Sequence, residues 1–260
     1  MELSNLDIPL VLSTLFYPRP ARPNTSHHPN AQDGTIPVSE NVVLGYRLYP
    51  HTPESTVILY FHGNGEIASD YDGLALEYHR VGASLLVVDY RGYGWSTGTP
   101  KVSTLLSDTT AVVEAVPGLL THAGLPADTL VIMGRSLGSA CAIHAAHQSP
   151  DRFKGLIIES GFARAVNLLQ RLGLPAHMIA NLHDPIGNDV KIASIELPLL
   201  VIHGENDALL PVEHGQTLFD QSPAIDKQIL RVPHAGHNDL LFVALQRYFD
   251  AIGQFIAQIR

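Results

Sequence analysis

Apolar residues in this chain come in short unbroken runs. Residues 57–61 read VILYF, 84–89 SLLVVD, 130–133 LVIM, 156–158 LII and 199–202 LLVI. Runs this short, rich in β-branched and aromatic residues and without polar alternation, predict strands buried on both faces. Residues 42–48 and 227–232 predict two more strands, one before and one after this set. Between the runs, residues 73–81, 103–116, 137–147, 212–221 and 239–259 carry helical spacing. Ser103 or Thr104 suits the cap of the second helix, and Pro117 is its expected stop. Strand alternating with helix implies βαβ units, hence an α/β fold with a mostly parallel sheet and helices on both faces. Only residues 1–37 break the rhythm. They are rich in Pro, Asn and His from residue 17 onward and read as an irregular N-terminal segment. His27 and His28 within it read as part of a solvated loop, because no carboxylate or cysteine set follows at metal-site spacing.

Composition narrows the class. A chain of 260 residues with 45% hydrophobic and 16% charged residues suits one α/β domain spanning 1–260. The formal charge of −9 argues against a nucleic-acid partner. A single cysteine, Cys141, rules out an internal disulfide and points to a reducing, cytoplasmic setting. Glu2 and Asp7 stand where a signal peptide would be basic, and Pro9, Ser13 and Thr14 interrupt the apolar stretch at 8–16. No run reaches the roughly 18 apolar residues of a bilayer span, so no integral membrane segment is expected.

In a parallel α/β sheet chemistry gathers at the carboxyl ends of the strands. After LVIM comes GRSLG, residues 134–138, followed by an apolar helix. That is the strand–turn–helix setting of a nucleophile elbow, with Ser136 as nucleophile and flanking glycines that let the helix fold back past the strand. After VILYF comes HGNGE, residues 62–66. A loop of small residues here lets backbone N–H groups approach a developing oxyanion. The Asn64 N–H is the first expected donor, Gly65 the fallback and a substrate neighbour, and the Leu137 N–H the second donor. His62 reads as support for that loop. After LLVI comes HGEND, residues 203–207, and His237 follows Asp207 by 30 residues in PHAGHN. Ser, Asp, His is the chain order of a hydrolase triad. Glu205 competes with Asp207 for the acid, and His234 with His237 for the base. The loop after Asp207 favours Asp207, and the freedom given by Gly236 favours His237.

HGNGE, DYRGYGWS, GRSLG, HGEND and AGHND, in this order, resemble the α/β-hydrolase superfamily, above all its monoacylglycerol-lipase-like and serine-aminopeptidase-like branch. The resemblance runs from about residue 38 to the C-terminus. It implies an eight-stranded, mostly parallel sheet and hydrolysis of carboxylic esters or thioesters without a cofactor or metal. It also favours Asp207 over Glu205 and His237 over His234. Dehalogenase and epoxide-hydrolase chemistry is disfavoured, because those relatives carry aspartate where Ser136 stands. A non-catalytic binding protein of this fold would be expected to lack a triad member, and none is missing. Acyl-thioesterase, acyltransferase and amidase activities share the triad and stay open.

DYRGYG reads as structural, with Tyr93 or Trp95 the residues that could line the site. Glu159, ending LII, could contact the elbow, and Cys141 reads as a small buried filler. Residues 162–196 form a short insertion where this superfamily places its cap. Its Leu, Ile and Met residues could anchor it to the core or form an acyl pocket, with Leu172 and Met178 the chosen pocket residues. Asp184 and Asp189 read as solvated. The expected partner is a small acyl ester of short to medium chain length.

Overall fold

The structure is a computed structural model that describes residues 3–175, 184 and 186–259. Eight strands form one sheet: β1 Gln32–Ser39, β2 Val42–Tyr49, β3 Thr56–Phe61, β4 Ala83–Val88, β5 Leu130–Arg135, β6 Gly155–Glu159, β7 Leu199–Gly204 and β8 Lys227–Val232. Their order is β1-β2-β4-β3-β5-β6-β7-β8, and β2 alone runs against the rest. The five apolar runs are β3 to β7, and all five are buried from end to end.

Alternation along each strand divides the core in two. Val57, Leu59 and Phe61 of β3 face one layer, with α3 (Val102–His122) and α4 (Gly138–Gln148) packed over them. Ile58 and Tyr60 face the other, covered by α2 (Ala75–Arg80) and the C-terminal helix (Leu240–Gln258). Helices on both faces leave the carboxyl edge of β3, β5, β6, β7 and β8 open for loops.

Three expectations about these elements fail, each for a physical reason. The N-terminal segment is not irregular throughout. It holds a 3-10 turn (Leu3–Leu6), helix α1 (Pro9–Leu15) and strand β1. Gly34 and Pro37 hid β1, and Pro37 is tolerated because β1 is an edge strand whose register shifts between Pro37 and Ser39. Pro117 does not stop α3, which continues to His122. A proline inside a helix costs ~3 kcal/mol, whereas burying Val112, Val113, Val116 and Leu120 contributes about 1.5–3 kcal/mol each. Neither Ser103 nor Thr104 is the cap. Helix α3 starts at Val102, and Asp7 reaches across to accept the Ser103 N–H at 3.1 Å. The helix Leu240–Gln258 is, by length and composition, long and apolar enough to cross a bilayer. It lies on the sheet, with Tyr248, Phe249, Ile252, Phe255 and Ile256 in the core.

His28 is not solvated either. Its ring packs edge-on against Tyr49 and His79. Cys141 is buried in α4, which pushes its thiol up to about 12 and leaves it unreactive.

Candidate active site

Strand β5 delivers the elbow. Ser136 follows it with φ of 51°, a left-handed conformation that is strained for a serine, and α4 starts two residues later. The turn demands the flanking glycines. A Cβ on Gly134 would strike the Gly138 backbone, and one on Gly138 would strike the carbonyls of Phe61 and His62. The Glu159 carbonyl accepts the Ser136 N–H at 2.9 Å, and the Ser139 hydroxyl donates to the Ser136 carbonyl at 2.6 Å.

Ser136 Oγ lies 2.9 Å from His237 Nε2, and His237 Nδ1 lies 2.7 Å from Asp207 Oδ2. Three residues from three strand ends thus form one hydrogen-bonded line. The Asp207 side chain is fully buried and that of His237 is 9% exposed. Asp207 Oδ1 accepts the Leu209 and Leu210 N–H groups at 3.0 and 2.7 Å. Burial alone would raise this carboxyl; the hydrogen bonds of His203, His237 and Leu210 outweigh it and hold Asp207 well below the usual carboxylate range. Its competitors face elsewhere. Glu205 pairs with Arg231 at 3.3 Å on the surface, and His234 is exposed with φ of 66°.

The loop after β3 lies beside the elbow. Among the described residues, neither the Asn64 nor the Leu137 backbone N–H has a protein acceptor, so both are free to donate. The Asn64 side chain is fixed from outside. Its Oδ1 accepts the Tyr93 hydroxyl at 2.7 Å and the Tyr17 N–H at 2.9 Å. Tyr93 is therefore a brace for this loop, while Trp95 donates to the Gly34 carbonyl at 2.9 Å, among the antiparallel strands. Gly65 has φ of 78°, and the Arg19 guanidinium donates to its carbonyl at 2.9 Å and pairs with Asp70 at 2.6 Å.

His62 is fully buried. Its Nδ1 lies 2.8 Å from the Gly63 carbonyl and its Nε2 3.1 Å from Asp89 Oδ1. The Gly63 carbonyl can only accept, so Nδ1 donates to it, while Nε2 faces the Asp89 carboxyl. Burial would lower its pKa, but the Asp89 hydrogen bond and charge, with the Gly63 carbonyl, raise it above the ordinary value.

Of the insertion, α5 (Ala165–Arg171) and α6 (Asn188–Ile192) are described. Leu168, Leu169 and Leu174 are buried in the main core, and Leu172 packs half-buried against it. Helix α1 packs on α5. Asp184 is not solvated, since it accepts the N–H groups of Ala165, Ile186 and Gly187. Asp189 pairs with Arg164 at 2.8 Å. Met178 lies outside the described residues.

Sequence reasoning missed Tyr17, Arg19, Glu66, Arg135 and His203 as supports of the site. Arg135 left a signal: a charge that directly follows a wholly apolar run has to find buried partners. Tyr17 and Arg19 left none, because their contacts lie more than forty residues away.

The family model for serine aminopeptidase, S33, matches residues 52–190. An uncharacterized protein of Mycobacterium tuberculosis is 30% identical over 234 residues, covering 88% of this chain and 80% of its own. The alpha/beta hydrolase domain-containing protein aho-3 of Caenorhabditis elegans is 29% identical over 203 residues, covering 76% of this chain and 57% of its own. Among solved structures, a soluble variant of monoglyceride lipase from Saccharomyces cerevisiae superposes with a TM-score of 0.70 at 17% identity, covering 91% of this chain and 97% of that one. By sequence match and by fold, this chain belongs to the serine aminopeptidase S33 family of α/β hydrolases.

Proposed function

We propose that the chain is a serine hydrolase that cleaves carboxylic esters of short to medium acyl chains through an acyl-enzyme on Ser136. The observation that carries this reading is the Ser136–His237–Asp207 line, 2.9 and 2.7 Å, on a positive-φ elbow. His237 takes the Ser136 proton as Oγ attacks the carbonyl carbon. The Asn64 and Leu137 N–H groups receive the oxyanion, and His237 then protonates the departing alkoxide. Water repeats the cycle on the acyl-enzyme. Asp207 holds the imidazole in the tautomer that presents Nε2 to Ser136 and stabilises its charged form. The acyl chain is assigned to the insertion and the loop after β3, with Gly65 and Leu172 as lining candidates and Met178 a candidate from the sequence alone. No step calls for a metal or cofactor. The lone Cys141, inert and buried, supports a cytoplasmic setting.

A fluorophosphonate probe, followed by p-nitrophenyl esters, acyl-thioesters and a peptide amide, tests the proposal. Wild type is expected to label and to prefer the esters, and Ser136→Ala to lose both labelling and hydrolysis. Full labelling of the alanine variant would end the assignment.

A further inference from the structure

Arg135 occupies the variable position of GRSLG, beside the nucleophile, and no step above uses its side chain. Strand alternation turns that side chain away from α4, onto the sheet face of Val131 and Met133. Its guanidinium has partners in three directions. Nε donates to Glu159 at 3.1 Å and one terminal nitrogen to Glu66. The other terminal nitrogen donates to the His237 carbonyl at 2.8 Å and to Asn238 Oδ1 at 3.1 Å. Glu66 carries the connection onward, because its second oxygen accepts the Gly63 N–H at 2.7 Å, one residue before Asn64. Glu159 is anchored by the Tyr248 hydroxyl at 2.7 Å, and its carbonyl holds the Ser136 N–H.

We infer that Arg135 is a positioning residue that fixes the spacing between the His237 loop and the Asn64 loop about Ser136. The inference rests on the serine-hydrolase reading above. Acyl transfer needs the imidazole and the oxyanion donors aligned on one carbonyl together, and these groups come from loops far apart in sequence. A planar guanidinium with five fixed donors can tie both loops and the strand end beneath them. A lysine, with one compact ammonium, cannot reach all of them. Misplacing reacting groups by ~1 Å costs about 10²-fold in rate.

The test uses the full chain. Arg135→Lys keeps a positive charge beside Glu66 and Glu159, so these carboxylates stay paired and the fold survives. Its kcat on p-nitrophenyl butyrate is expected to fall about ten- to a hundredfold, with KM within about threefold of wild type. Arg135→Gly opens space next to a cavity of about 260 Å³ that Arg135, Glu66, Glu159 and His237 already line. Millimolar guanidinium is expected to restore kcat saturably in the glycine variant and to leave wild type unchanged. A purely structural role would not respond to guanidinium at unchanged fold, read by circular dichroism. Lysine-variant kcat within about twofold of wild type would overturn the inference. So would a loss in the glycine variant that tracks unfolding and resists guanidinium. Fluorophosphonate labelling of wild type separates the two claims: an unlabelled wild type sinks the hydrolase reading, whereas a labelled wild type with an unaffected lysine variant sinks only the role of Arg135.

Discussion

At the carboxyl edge of this sheet His237 pairs with Asp207 and His62 with Asp89, and the same two residue types do different things in the two pairs. His237 meets Asp207 with Nδ1 and a hydroxyl, Ser136, with Nε2. A hydroxyl can give a proton as well as accept one, so this ring can cycle between neutral and charged forms. His62 meets Asp89 with Nε2 and the Gly63 carbonyl with Nδ1. Neither partner can give a proton in exchange, and the pair is fully buried. That ring is held between the Asp89 carboxyl and the Gly63 carbonyl and supports the loop after β3. The partner on the second nitrogen, rather than the aspartate, separates a base from a brace.

The largest effect that sharpens this contrast is on chemistry. Ser136→Ala and His237→Ala should each lower kcat by about 10⁶ while melting near wild type, since losing the serine or histidine of a comparable triad costs about that much. Stopped assays at high enzyme concentration read the residual rate. Next comes the acid. Asp207→Asn should cost about 10⁴ in kcat, and Glu205→Gln, in its surface pair with Arg231, should change kcat by less than about twofold. A more damaging Glu205 change would mean that the wrong carboxylate has been assigned.

The brace should behave the other way. His62→Gln leaves Asp89 buried without its histidine partner and should cost about 3–5 kcal/mol of stability, read from urea midpoints. The folded fraction should keep far more activity than His237→Ala. The pH dependence separates the pairs again. The His62 pKa is raised on folding, so its contribution is full below the unfolded value of about 6.5 and is lost as pH rises through the folded value. The stability gap between wild type and His62→Gln should therefore narrow on the alkaline side. Asp207 is lowered, so its contribution is present above about pH 3.9 and is lost as pH falls below that. The gap between wild type and Asp207→Asn should narrow on the acid side. Gaps that run in parallel across the whole range would dissolve the distinction.

How far the sequence could tell these pairs apart follows from what each depends on. The grouping of Ser136, Asp207 and His237 was legible because strand ends, loop spacing and chain order are local or topological features: VILYF, LVIM and LLVI place HGNGE, GRSLG and HGEND on one edge without knowledge of packing. His62 was legible as a support, yet its pairing was not, because that depends on Asp89 at the end of a neighbouring strand. Arg135, Tyr17 and Arg19 act through partners that no spacing rule brings together. Strand β1 was hidden by Gly34 and Pro37, which break strands in general and are tolerated at a sheet edge. Pro117 misled in the opposite sense, since local propensity yielded to the apolar stripe beneath it.

The smallest expected effect concerns the acyl chain. Each fully buried methylene contributes roughly 0.8 kcal/mol, or about fourfold, until a pocket is filled. So kcat/KM on p-nitrophenyl esters should climb from acetate to about butyrate or hexanoate and then level or fall. Leu172→Ala and Met178→Ala should move that optimum. A flat series, or one that neither substitution moves, would make the insertion a brace and place the pocket elsewhere.

The central claim is a covalent acyl group on Ser136 that His237 puts in place and later removes. Rapid acid quench during turnover of p-nitrophenyl butyrate, followed by peptide-mapped mass spectrometry, reads it directly. The account predicts a butyryl group on the peptide bearing Ser136, formed during the initial release of nitrophenolate and absent from His237→Ala. Unmodified Ser136 throughout a burst of product, or an acyl group on another side chain with Ser136 free, would contradict it.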